Sequence, residues 1–477
     1  MSSRRNFLKR SGLLGAGLLA SSSVVSAQHE GHVQPQPQAP AKKDVPQPDS
    51  GGNVLVETPD VPKLPWTLDN GVKVFQLSAE VVKTQLLPGR EMYGWGYNGR
   101  VPGPTIEVNE GDRVRIHFQN KLPEGTTVHW HGLEVPLKMD GAPFISQPIV
   151  EPGGTFIYEF TLHQNGTFFY HSHMAMQEMM GMIGLFIIHP KKPNTPHCHR
   201  DFGLILQEWA LLPNNPIPNS LAMEFNWLTI NGKAGPDTTP MIVKQGERVR
   251  IRMVNLGMDH HPMHIHGNQF YVTGTEGGRI PETAWFPGNT VLVGVAQARD
   301  VEFDAVYPGE WMLHCHLPHH MMNQMVSMVG PMGQAGHGVQ TGGGMEEGMG
   351  IVRQGTALSE DLAPKLGRGM GDTTERDRNT SNLVGPNAQQ PQQQMNMQQE
   401  AAKKRVPGYP QDMVMIMDKE VAKPHTYGLP PGWTAAMMGM MTLVRVLPPS
   451  MYDEVQRRIR EGIIEAPAAM PPGHRHG

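Results

Sequence analysis

Four His-x-His pairs punctuate the chain: His129/His131 in VHWHG, His171/His173 in YHSHM, His264/His266 in MHIHG and His314/His316 in LHCHL. On an extended strand, residues i and i+2 point the same way, so each pair offers two imidazoles side by side. One such pair is ordinarily surface or core histidine. Four of them, placed symmetrically, form a metal-binding pattern, and imidazole suits copper. The only two cysteines, Cys198 and Cys315, each stand between two histidines, in PHCHRD and LHCHLP. Two cysteines in 477 residues make no disulfide scaffold, though they could still pair with each other.

Spacing separates the two triplets. Cys315 ends the strand candidate EWMLHCH, with His320 five residues on, Met325 ten residues on and His261 upstream in HPMHIHG. One cysteine, two histidines and a weak methionine are the ligand set of a blue-copper electron-transfer site. Cys198 follows PKKPNTP, a poor strand, and its +5 and +10 positions are Gly203 and Glu208. Cys315 is therefore read as the ligand and Cys198 as a bystander.

The elements that must position these residues form an internal repeat. EVNEGDRVRIHFQNKLPEGTTVHWHG is followed later by IVKQGERVRIRMVNLGMDHHPMHIHG, and TFFYHSHMAMQEMMGM by EWMLHCHLPHHMMNQM. Apolar and polar residues alternate from Arg113 to Phe118 as on a half-buried strand, and GTFIYEFTL, GTFFYHSH and GMIGLFIIHP are further strand candidates. An all-β unit of roughly 120 residues, repeated, predicts two Greek-key β-sandwich domains, at 70–190 and 200–330. In the first unit the counterparts of His261, Cys315, His320 and Met325 are Thr126, Ser172, Gln177 and Met182. That unit keeps its paired histidines and has no blue site.

The flanks differ in composition. Ser3-Arg4-Arg5-Asn6-Phe7-Leu8-Lys9, the short apolar run to Val25 and Val25-Ser26-Ala27 read as a twin-arginine signal peptide over 1–27. This predicts a bacterial protein that is periplasmic or secreted. The apolar run is too short to span a membrane. Residues 28–69 read as a Pro/Gln-rich linker and 331–435 as a flexible, low-complexity Met/Gly/Gln-rich insertion. A closing strand at AMMGMMTLVRVL and a short helix near 450–465 complete the last segment, 436–477. A net charge of -4 with no basic excess argues against nucleic acid as a partner.

HWHG, HSH, HPMHIHG and HCHLPHHMMNQM together resemble the multicopper oxidases, over roughly 70–330. The resemblance implies cupredoxin-like folds for both sandwiches and four copper ions per functional unit. It implies that His261, Cys315, His320 and Met325 hold the type 1 ion, with Met440 or Met441 as the fallback axial ligand. It places type 2 on His129 and His264, and the type 3 pair on His131, His171, His173, His266, His314 and His316. Electrons would enter near His320 and pass through Cys315 to His314 and His316 to reduce O2 to water. Asp140 matches an acid that relatives place near type 2, whereas Met321 stands where some relatives carry a glutamate. Too few positions separate His173 from His261 for a third sandwich, so the chain looks like the two-domain subclass, whose cluster forms between neighbouring chains of a homotrimer.

The reducing substrate is less legible. Methionines crowd both second His-x-His motifs (Met174, Met176, Met179, Met180 and Met182; Met321, Met322, Met325 and Met328) and recur at Met413, Met415, Met417, Met437, Met438, Met440 and Met441. Methionine fills core gaps, yet thioether is also a soft ligand suited to Cu(I). Cu(I) is the expected substrate, with Mn(II) and phenols open. A non-catalytic copper carrier and a copper nitrite reductase are the alternatives, but a carrier needs fewer than four paired sites and a nitrite reductase needs neither eight paired histidines nor a second-domain cysteine.

Overall fold

The computed structural model describes residues 51–174, 176–211, 215–221, 225–323 and 416–464. The signal segment 1–27, the linker to residue 50, Met325, Met328, Met413, Met415, residues 331–415 of the insertion and the tail beyond 464 lie outside the described residues.

Alternating burial builds two sandwiches. In the first, β1 (Trp66–Asp69), β2 (Val72–Leu87), β5 (Arg113–Asn120) and β7 (Thr155–Thr161) run side by side, with β3 (Arg90–Tyr97) on β2. Facing them are β4 (Ile106–Asn109), β9 (Ile183–His189), β8 (Gly166–Ser172) and β6 (Val128–His131), in that order. Phe75, Leu77, Val114, Ile116, Phe118, Trp130, Tyr158 and Phe186 fill the space between the sheets. The alternation read at Arg113–Phe118 is that of β5, with Val114, Ile116 and Phe118 inward.

The second sandwich repeats this plan. One sheet has the order β11 (Trp227–Ile230), β10 (Arg200–Trp209), β13 (Arg248–Asn255), β19 (Gln297–Asp304), β15 (Phe270–Thr275), β16 (Gly278–Arg279), with β17 (Phe286–Gly288) on β15. The other has the order β12 (Met241–Lys244), β21 (Met441–Leu447), β20 (Gly309–Cys315), β14 (His261–Ile265), β18 (Thr290–Val293). The expected closing strand is thus β21, and it sits inside its sheet, parallel to β12 and antiparallel to β20. The helix is α1 (Pro449–Glu461), with Pro449 in its first turn and Gly462 in the left-handed conformation beyond its end. Val455 anchors it against Ile242 and Leu447. Among the described residues, no helix is long and apolar enough to cross a membrane.

The structure corrects two boundaries. The end of the expected linker is packed: Val56 is fully buried, Glu57 pairs with Phe202 of the second unit, and Lys63 pairs with Thr105 of the first. Residues 416–435, assigned above to the flexible insertion, are packed as well. Ile416 and Val421 join a core with Trp209 and Trp227, and Lys423 reaches Asp60 and Asp237. In both stretches a few well-spaced apolar residues outweigh a Pro-rich or polar composition, because burying each one removes apolar surface from water.

Candidate metal centres

Three buried side chains of the second sandwich converge. His261 opens β14, Cys315 ends β20, and His320 lies in the 3-10 turn Pro318–Met321. The two Nδ1 atoms are 3.2 Å apart, and the Cys315 Sγ lies 3.8 Å from one and 3.4 Å from the other. Two ring nitrogens and a sulfur facing one another in an apolar core are poorly satisfied alone and well satisfied by a shared cation. Burial, then the His261 and His319 rings, push the His320 imidazolium down to about 3, so the ring is neutral as a ligand must be. Burial pushes the Cys315 thiol up to about 12. Its proton would leave on metal binding.

Met440 is fully buried in the same core, and its backbone clamps the site. Its carbonyl accepts the Cys315 N–H at 3.0 Å, and its N–H donates to the His320 carbonyl at 2.9 Å. A Cβ at Gly439 would collide with that same carbonyl, so the approach requires glycine.

On the first sandwich, β6 carries His129 and His131, and β8 carries His171 with His173 just beyond it. His129 and His171 are direct cross-strand partners. Ring centroids lie 5.3 Å apart for His129/His171 and His129/His173, and 5.4 Å for His131/His171. His131 Nδ1 faces His171 Nε2 at 3.3 Å, again an arrangement that suits a shared cation. Burial followed by the neighbouring imidazoles pushes His131 down to about 4.

The second sandwich repeats the cluster, since β14 places His264 opposite His314 of β20. Centroids are 5.0 Å apart for His264/His266, 5.2 Å for His266/His314 and 5.5 Å for His264/His316. Nδ1 of His129, His171, His264 and His314 each lies 2.7 or 2.8 Å from a backbone carbonyl, of Asp140, Ser172, Asn289 and Cys315. A ring N–H donated there leaves the Nε2 lone pair free for a metal, in keeping with the habit of ligating histidines to donate their other ring N–H. Among the described residues, no ring contact joins the first set of four to the second.

Asp140 places its Oδ1 3.5 Å from His129 Nδ1, beside the first set. Cys198 is elsewhere. It is buried and free, with its Sγ 3.6 Å from Arg250 Nη2 and its flanking His197 and His199 exposed. Burial raises its thiol to about 11. It joins the ionic network of Arg250, Asp201 and Glu302, not a ligand set. The two cysteines form no disulfide.

Among the described residues, three carboxylates besides Asp140 contact ring nitrogens of the candidate ligands, and none was given a role from the sequence. Glu178 lies 3.1 Å from His171, Asp259 lies 3.5 Å from His320, and Glu208 lies 3.1 Å from His261. Only Glu208 left a local signal, a charge within the apolar strand LILQEWA.

Two family models, both described as multicopper oxidase, match residues 79–193 and 211–330. Copper resistance protein A of Pseudomonas syringae pv. tomato is 38% identical over 124 residues, covering 26% of this chain and 20% of that protein. Multicopper oxidase mco of Staphylococcus aureus is 31% identical over 230 residues, covering 45% and 50%. The solved blue copper oxidase from Nitrosomonas europaea is 34% identical, with 53% of this chain and 81% of that chain covered at a TM-score of 0.49. The chain spans between a fifth and a half of the length of these curated relatives.

Proposed function

Because the chain belongs to the multicopper oxidase family, we propose that it oxidises a reducing substrate one electron at a time and reduces O2 to water with four such electrons. The observation that carries this reading is the buried convergence of His261, Cys315 and His320, one residue away from His314 and His316. We assign these three, with Met325, to the type 1 ion. His129 and His264 take type 2, and His131, His171, His173, His266, His314 and His316 take the type 3 pair, four ions in all. Bound copper would supply the one-electron redox steps and the oxygen chemistry.

The residues supply the layout. Side chains alternate along β20, so Cys315 points into the sandwich with Leu313 while His314 and His316 face the other way. One thiolate and its two chain neighbours thereby make the covalent path between the centres. Asp140, beside His129, is our candidate proton carrier.

We read each set of four imidazoles as half of a cluster, because among the described residues no ring contact joins one set to the other. We infer a homotrimer in which the first unit of one copy faces the second unit of the next. Leu137, Phe144 and Ile145, on the loop beside His129, are 66%, 80% and 78% exposed, and a neighbouring copy would cover them. We also infer export by the twin-arginine route, which puts the protein in the periplasm or outside the cell.

Cu(I) is our first substrate, ahead of Mn(II) and phenols. Met321, next to His320, packs with Met312, Met437 and Met441 around Trp433, a thioether cluster beside the type 1 ligands. Oxygen uptake by the copper-loaded protein should be fastest with Cu(I) in a panel with Mn(II) and phenols. No uptake with any reductant would favour a copper carrier, and turnover of nitrite in its place a nitrite reductase.

Removing residues 335–415, and leaving the packed 416–435 intact, should preserve the blue colour and raise turnover of bulky phenols several-fold relative to Cu(I). Equal ratios before and after would reduce the segment to a spacer.

A further inference from the structure

One buried carboxylate has no lysine or arginine beside it among the described residues. Glu208, near the end of β10, has a fully buried side chain. Its Oε2 lies 3.1 Å from His261 Nε2, and its Oε1 accepts the backbone N–H groups of Met258 and, at 3.0 Å, Asp259. Burying a carboxylate is costly unless its oxygens are satisfied, and here two backbone N–H groups and the His261 ring face them. The loop is shaped around it, because a Cβ at Gly257 would collide with both carboxylate oxygens. Asn255 fixes the same loop: its Oδ1 accepts the Gly257 N–H at 2.8 Å, and its Nδ2 donates to Asp259 and Val293 carbonyls at 2.8 and 3.1 Å.

The two type 1 histidines therefore differ. The Nε2 of His261 meets a carboxylate held by two backbone N–H groups, whereas that of His320, among the described residues, has only Asp259, 3.5 Å away and partly exposed. A hydrogen on His261 Nε2, donated to Glu208, leaves the Nδ1 lone pair aimed at Cys315 and His320. A carboxylate behind a ligating imidazole also makes the ring a stronger donor, which favours the more highly charged metal state.

We propose that Glu208 is the positioning residue of the type 1 centre, selecting the Nδ1-ligating form of His261 and lowering the reduction potential of the ion held there. This rests on the type 1 assignment above.

The test uses the copper-loaded full chain, reading copper content, the blue band, melting temperature and the type 1 reduction potential. Glu208→Gln removes the charge and leaves one acceptor oxygen. If that oxygen faces His261, the blue band stays and the potential rises. A tenfold loss of preference for Cu(II) over Cu(I) corresponds to about 59 mV for one electron. If the amide N–H faces His261, the ring is forced into the other tautomer, and the blue band is lost while the fold and the remaining copper are kept. Either result supports the proposal. A lowered melting temperature with native band and native potential overturns it, leaving Glu208 a structural residue. Should Glu208→Gln fail to fold, Glu208→Asp keeps the charge but withdraws it from His261. A raised potential there supports the proposal, and a native one overturns it. A wild-type chain with no blue band removes the type 1 assignment itself, so the two failures are distinguishable.

Discussion

Cys315→Ser is expected to abolish the blue colour and lower oxygen consumption by about 100-fold or more, since altering even a partner of a metal ligand costs roughly 10–100-fold. Serine fits the space but supplies a hard hydroxyl where the pocket offers a sulfur to two Nδ1 atoms at 3.4 and 3.8 Å. It also removes the thiolate from the proposed path to His314 and His316. Cys198→Ser is the matched control. It alters a thiol of similar burial in an identical triplet, whose one polar side-chain hydrogen bond among the described residues is with Arg250. Colour and turnover should persist in that variant. Bleaching of Cys198→Ser, with Cys315→Ser still blue, would reverse the assignment.

The second large effect concerns the separation of the two imidazole sets. His131→Ala and His316→Ala, each expressed alone, should lose oxygen reduction, because each disables one half of every cluster. Expressed together, the two chains should recover about a quarter of wild-type activity, since a cyclic assembly pairs an intact first unit with an intact second unit at one interface in four. Light scattering should give a trimer. An active, copper-replete monomer, or no recovery from the mixture, would reject a shared cluster.

Much of this was written locally. His-x-His is visible because side chains on one strand face share a two-residue period, and the repeat is visible because both sandwiches reuse the same strand, turn and strand. Cys315 separates from Cys198 because His320 is close in sequence. Contacts that arise across the fold leave no such period. Glu208 reaches His261 from a strand of the opposite sheet, and Asp259 and Glu178 meet their histidines through turns. The packed ends at 51–69 and 416–435 were hidden for a related reason. Val421 is an apolar residue in polar surroundings and Val56 belongs to a short apolar run before a Pro-rich one, and their core partners, such as Trp209 for Val421 and Phe169 for Val56, lie far away in the chain.

The position of β21 constrains the order in which the molecule can be made. Between β12 and β20 there is a gap one strand wide, and the strand that fills it is synthesised long after both neighbours. Until the ribosome has delivered Met441–Leu447, β12 and β20 each present an unpaired edge, a template for joining another chain. Gly439 and Met440 arrive in the same instalment, so the backbone groups that bond Cys315 and His320 are missing until then. The pocket is thus a late product of translation. The intervening length is tolerable because closing a loop costs only about 0.6 kcal/mol for each doubling of its length. A chain terminated before Gly439 would carry His261, Cys315, His320 and Met325 and still lack the strand and the backbone groups that close the pocket around them.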